Sequence, residues 1–260
     1  MKLFYFFLAV EALVRPRVIR GYEATPFKYP FMVSVQYNGA HNCGGTLYRQ
    51  DTVISAAHCR QEHLKKLSVL VHRHNLTKTN EEEGGSRFNV TDFISHPLYD
   101  SYTVKNDIAI LKLSSADNSR TAILLDRDGR SEDIETMTTT IGWGLNEDGK
   151  FPAILMETRL PILRNEYCQI QYAKLGYDVD PALVICAGFP EGYTDTCQSD
   201  SGGPIFIKKN KAYILLGVVS WGKGCAEKGF PGYYTRISNY ISWIEDTTQV
   251  TNQPSVHVSP

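Results

Sequence analysis

Short apolar runs separated by turn residues fill most of the chain. "FMVSVQY", "DTVISAA", "LSVLVH", "IAILKL", "AILMETRLPIL", "PIFI", "YILLGVVSW" and "GYYTRI" are all rich in β-branched and aromatic residues. Such residues suit a pleated, half-buried surface. Many runs of this kind at regular spacing predict an all-β sandwich or barrel. One segment breaks the pattern. In "NYISWIEDTTQ", Tyr240, Ile241, Trp243 and Ile244 share one face at helical spacing, which predicts a closing α-helix. The polar stretch Ser114–Asp133 reads as a connection between two strand-rich halves of similar size. No internal repeat is visible. Residues 250–260 form a polar tail that is expected to fray.

The N-terminus adds a compartment. Lys2 is followed by an unbroken apolar run from Leu3 to Val10. It is too short to span a bilayer and reads as a secretory signal peptide. Glu11 cuts the apolar run short, which leaves cleavage after Ala9 and after Ala12 both open. No other segment is apolar and long enough for a membrane span. Six cysteines (Cys43, Cys59, Cys168, Cys186, Cys197, Cys225) fit a disulfide framework in an oxidising, extracellular setting. Their pairing is not fixed by spacing. A zinc site is disfavoured because no C-x-x-C pair exists. The sequons at Asn75 and Asn89 become glycosylation candidates in a secreted chain, Asn75 the better placed because a polar, glycine-containing segment follows it. The net charge of −1 argues against nucleic acid as a partner. No membrane association and a monomer are expected.

Three local signals carry chemistry. "ISAAHC" puts His58 directly after a strand, "NDIAILKL" puts Asp107 at the head of one, and "DSGGP" puts Ser201 in a glycine-rich turn. Each alone is ordinary. A lone His beside Cys is usually structural, an Asp before a strand is usually a cap, and Ser-Gly-Gly is usually turn chemistry. Together they suit nucleophilic catalysis. A serine hydroxyl needs a base whose pKa lies near neutrality, and only histidine offers that unperturbed. A carboxylate then fixes the imidazole tautomer.

With "CGGTL" before "AAHC", "GWG" at Gly142–Gly144, "SWGKGCA" at Ser220–Ala226 and "PGYYTRI" at Pro231–Ile237, the chain resembles the chymotrypsin family of serine proteases, trypsin type, over Val18 to Gln249. The resemblance implies two packed six-stranded antiparallel β-barrels with a C-terminal helix and an active site in the cleft between them. The N-terminal barrel would cover about 18–120 and the C-terminal barrel about 134–249. It implies Ser201 as nucleophile, His58 as base then acid, and Asp107 as orienter. The oxyanion hole would be formed by the N–H groups of Ser199 and Ser201. Asp195 would read an Arg or Lys side chain at the base of a pocket walled by Ser220, Trp221, Gly222 and Gly232. Cleavage after Arg17 would free the Val18 amine to pair with Asp200, so residues 1–17 would be signal peptide plus short propeptide. The implied disulfides are Cys43–Cys59, Cys168–Cys186 and Cys197–Cys225. Protein or peptide substrates and protein inhibitors are the implied partners, with no cofactor.

The chain departs from the family pattern in three places. Arg20 replaces a glycine in the new N-terminus and is expected to face solvent. Arg73 stands where calcium-binding trypsins carry an acid, and a cation cannot ligate calcium. No metal site is therefore expected, and Glu81, Glu82 and Glu83 read as a solvated face. Ser199 replaces the glycine of the oxyanion hole. It keeps the N–H but carries a side chain where glycine's backbone freedom would aim the donor. This substitution keeps a second reading open, a catalytically impaired homologue acting as a binding or regulatory module.

Overall fold

The computed structural model describes residues 21–117, 123–145, 149–192, 197 and 199–249. In chain order the strands are β1 (Tyr22–Glu23), β2 (Met32–Tyr37), β3 (Ala40–Arg49), β4 (Thr52–Ser55), β5 (Leu67–Val71), β6 (Ser86–Ser95) and β7 (Ala109–Leu113), followed by β8 (Ile123–Leu125), β9 (Met137–Gly142), β10 (Met156–Leu163), β11 (Val184–Ala187), β12 (Pro204–Lys209), β13 (Ala212–Trp221) and β14 (Gly232–Arg236). The helices are α1 (Asn80–Glu83), α2 (Asn165–Ala173) and α3 (Ile241–Gln249).

Strands β2-β3-β4-β7-β6-β5 close into one antiparallel barrel. Strands β9, β10, β11, β14, β13 and β12 close into a second through the β9–β10 and β9–β12 pairings. Closure removes the unpaired edges that would invite aggregation. In β5 and β7 every residue is buried, because one face fills the barrel and the other is covered from outside. β6 behaves differently: Arg87, Asn89 and Asp92 face water while Val90 and Phe93 face inward.

An aromatic cluster joins the halves. The Phe31 ring lies edge-on to those of Phe206 and Tyr213, each at 5.2 Å, and Tyr29 packs on Phe206 at 5.2 Å. Such pairs add about 0.5–1.5 kcal/mol each beyond their buried area. The chain ends cross between barrels. β1 pairs with β10 of the second barrel, and α3 returns to the first, where Trp243 meets His96 at 4.9 Å. Just before α3, the Tyr240 hydroxyl donates to Asn106 Oδ1 at 3.0 Å. That contact steadies the residue preceding Asp107.

Candidate active site

His58 sits in a single 3₁₀ turn, Ala57–Cys59, immediately after β4. The Cys43–Cys59 disulfide ties this turn to β3. Asp107 lies at the head of β7 and is 1% exposed. Its Oδ1 accepts the His58 N–H at 2.9 Å. Its Oδ2 accepts His58 Nδ1 at 2.7 Å and Ser220 Oγ at 2.5 Å. The Asp107 carbonyl accepts Thr235 Oγ1 at 2.7 Å. Ser220 and Thr235 belong to β13 and β14, so the second barrel helps to hold a carboxylate carried by the first. A carboxylate facing Nδ1 assigns the proton there and leaves the Nε2 lone pair as the base.

Ser201 lies on the turn before β12. Its carbonyl accepts the Gly44 N–H of β3 at 2.8 Å and lies 3.7 Å from Cys59 Sγ. The turn is therefore docked beside the His58 loop. Among the described residues no hydrogen bond joins Ser201 Oγ to His58; such contacts commonly tighten only when substrate binds. Among the described residues the N–H groups of Ser199 and Ser201 donate to no protein acceptor. Ser199 has φ of 71°. It therefore holds the left-handed conformation a glycine would take, at a cost of about 1–2 kcal/mol for a residue with a Cβ.

His41, which the sequence reading did not single out, restrains this turn. Its Nε2 lies 3.0 Å from the Ser199 carbonyl, and its Nδ1 lies 2.8 Å from Ser34 Oγ. A carbonyl only accepts, so Nε2 carries the proton and Ser34 donates to Nδ1. Burial pushes the His41 pKa down to about 4, against the smaller opposing pull of the Ser199 carbonyl. The sole sequence signal was its place two residues before Cys43.

Asp200 is 2% exposed. Its Oδ1 accepts the Gly144 N–H at 2.8 Å and its Oδ2 the Cys197 N–H at 2.9 Å. A Cβ on Gly142 would come 1.9 Å from the Asp200 carboxylate, and one on Gly144 would come 2.5 Å from it. The two glycines of "GWG" are what let this carboxylate fit. Burial raises the Asp200 pKa to about 6, although both N–H bonds pull it back down. Among the described residues it has no cationic partner. Arg17, Val18 and Arg20 lie outside the described residues, as does Asp195.

The residues expected as pocket walls, Ser220, Trp221, Gly222 and Gly232, are all described. A Cβ on Gly222 would lie 3.6 Å from the Cα of Gly232, so the two glycines face each other. Trp221 packs on Tyr172, Tyr177 and Tyr233 at 5.0–5.1 Å. The Cys197–Cys225 bridge links the turn before Ser201 to the loop after β13, and Cys168–Cys186 ties α2 to β11. The pairing is the one the resemblance implied. Ser220 does more than line a wall, since its hydroxyl is committed to Asp107.

Glu83 corrects the sequence reading. It is not part of a solvated face but 8% exposed, bound to an equally buried Arg73 at 2.8 Å. Glu81 and Glu82 are exposed as expected. Burial pulls the Glu83 carboxyl upward, but Arg73 and the N–H groups of Asn75 and His74 outweigh it and hold its pKa below the ordinary value. Of the sequons, Asn75 is half-buried, its Oδ1 accepting the N–H and the hydroxyl of Thr77 at 3.0 and 2.7 Å. Asn89 is exposed on β6. The grouping of Cys43, His58 and Cys59 offers no thiolate, because both sulfurs are spent in the disulfide.

A histidine clamped by a buried carboxylate, beside a serine in a cleft between two barrels, defines a site suited to acyl transfer. Comparison with known proteins gives the family. The trypsin family model matches residues 18–244. The chain is 38% identical over 241 residues to anionic trypsin of Bos taurus, covering 89% of each chain. It is 35% identical over 237 residues to trypsin of Sus scrofa, covering 89% of this chain and 95% of the other. It is also 33% identical over 260 residues to a vitellin-degrading protease of Bombyx mori, covering 96% and 94%. The chain belongs to the trypsin family and is a serine endopeptidase.

Proposed function

We propose that this endopeptidase is secreted, cleaves after Arg or Lys, and is made as a zymogen activated by cleavage after Arg17. The observation that carries the catalytic assignment is the Asp107 carboxylate, which grips both the N–H and the Nδ1 of His58. In the acylation step, Ser201 Oγ attacks the substrate carbonyl carbon while its proton passes to His58 Nε2. The N–H groups of Ser199 and Ser201 receive the oxyanion. Collapse breaks the peptide bond, and the leaving amine takes the proton from His58. Water repeats the sequence on the ester, releasing the acid and restoring Ser201.

Asp195 supplies the specificity. Its carboxylate would pair with a cationic side chain, and the facing Gly222 and Gly232 are proposed to leave a slot long enough for one. Activation rests on Asp200. A buried carboxylate with a raised pKa and only N–H partners is best satisfied by a cation, and the Val18 amine would provide it. The positive φ of Ser199 supports an active enzyme, because its donor is carried on a glycine-like backbone. Protein inhibitors that present an Arg or Lys to the same pocket are expected partners. The test is cleavage at Arg17 followed by peptide-library profiling and fluorophosphonate labelling. Labelling of Ser201 with cleavage after Arg and Lys supports the reading. No adduct after processing would overturn it.

A further inference from the structure

The loop joining β5 to β6 holds a positive charge at its centre. Arg73 is 5% exposed. Its Nε donates to Glu83 Oε2 at 2.8 Å, its Nη1 to Asn80 Oδ1 at 2.6 Å, and its Nη2 to the carbonyls of Asn75 and Lys78 at 3.0 and 2.5 Å. One guanidinium thus collects a carboxylate, a side-chain amide oxygen and two main-chain carbonyls. That is the all-oxygen donor set a hard divalent cation would take. The N–H groups of His74 and Asn75 reinforce Glu83 from behind, at 3.1 and 2.8 Å. A Thr79–Glu82 capping box starts α1 and fixes the far side of the loop.

The loop is wired to the second barrel. The Leu76 N–H donates to the Ala153 carbonyl at 2.7 Å, and the His74 carbonyl accepts the Leu155 N–H at 2.8 Å. The same carbonyl accepts Trp143 Nε1 at 3.1 Å, and Trp143 lies between the two glycines that cradle Asp200. Calcium does not fit here, because its oxygen donors already point at the guanidinium and its own charge would face an immobile cation.

We propose that Arg73 is the resident cation of this loop, organising through its ion pair and hydrogen bonds what a bound divalent ion would otherwise hold. It organises residues 73–83 and, through His74, their junction with Trp143 and Leu155. The protein therefore keeps this face ordered with no metal and is insensitive to chelators.

The test uses full-length protein in a Ser201→Ala background, so that self-digestion plays no part and the result is independent of the catalytic assignment. Melting temperature is measured with calcium chloride and with EDTA, and nicking after the exposed Lys78 is followed with an added lysine-specific protease. The parent is expected to melt at the same temperature in both solutions and to resist nicking. Arg73→Gln is expected to melt about 10 °C lower, since it leaves a buried carboxylate unpaired, and to be nicked rapidly. Arg73→Lys keeps the charge but has no planar fork to reach the four acceptors, so it should fall between them. A calcium-dependent rise in the parent's melting temperature, lost in EDTA, would overturn the proposal. So would an Arg73→Gln protein as stable and as resistant as the parent.

Discussion

The two barrels bring unequal halves to the proposed active site. The first contributes His58 and Asp107, whose polar atoms are matched: the buried carboxylate accepts three hydrogen bonds, one of them from the second barrel. The second contributes the 199–201 turn, which holds a serine at positive φ and a buried carboxylate with no cation among the described residues. One half is finished by folding. The other holds Ser199 in the left-handed region and a buried Asp200 carboxylate with only N–H partners among the described residues. Under the proposed activation, this is where control would enter: a carboxylate held only by N–H donors among the described residues would gain its cation from the Val18 amine.

Breaking the finished half should have the largest effect. Asp107→Asn is expected to lower kcat by about 10⁴-fold with the fold intact, the size associated with this change in the family. A loss below tenfold would show that the Asp107–His58 clamp is not the working element. The unfinished half comes next. Asp200→Asn is expected to cost about 10²–10³-fold in kcat of the processed enzyme, comparable to loss of an oxyanion donor.

The same residue sets a pH signature in the unprocessed chain, read on Arg17→Ala protein. Asp200 titrates near 6 when folded and near 4 when unfolded. Between those values the folded state holds a proton that the unfolded state has released, so its contribution to stability falls as pH rises. His41, held down to about 4, acts in the opposite direction over an overlapping window. Comparing Asp200→Asn with its parent isolates the first effect. Chemical denaturation from pH 4 to 7 should show the variant gaining relative stability as pH rises; parallel curves would refute the assignment.

Ser220→Ala tests the point where the halves meet. It removes one charge-assisted bond from Asp107, and such bonds contribute about 1.5–3 kcal/mol. A fall in kcat of about tenfold with KM unchanged is expected, and a KM effect alone would return Ser220 to the pocket wall. The smallest change is Ser199→Gly. Relief of the left-handed strain should raise the melting temperature by about 2–4 °C and leave kcat on an Arg peptide unchanged. A large gain in kcat would show that serine misdirects the oxyanion donor.

Legibility in the sequence followed burial. β5 and β7 are buried on both faces, and their runs "LSVLV" and "AILKL" stand out. β9, "MTTTIG", does not, because Thr138 and Thr140 are buried yet polar; Thr138 Oγ1 donates to the Leu160 carbonyl at 2.6 Å. α2 is equally hard to see in the sequence. Only Cys168 and Tyr172 are buried in it, too few to draw an apolar stripe. α3 is visible because Tyr240, Ile241, Trp243 and Ile244 do draw one. At the site, the proposed triad residues sit in local motifs, whereas nothing nearby in the sequence marks the contacts made by His41 or by the Ser220 hydroxyl. Their partners lie at Ser199 and Asp107, far away in sequence.

Residue identity and order along the chain carry the β-rich class, the family, the chemical types at positions 58, 107 and 201, and the unusual serine at 199. Those properties reside in residue identity and local order. Four features emerge only in the folded protein: Ser199 adopts a glycine-like backbone, His41 braces it, Glu83 is buried against Arg73, and Ser220 donates to Asp107. Each of these depends on which acceptor a donor meets after two barrels close, and that meeting is fixed by packing between distant segments rather than by any neighbour along the chain.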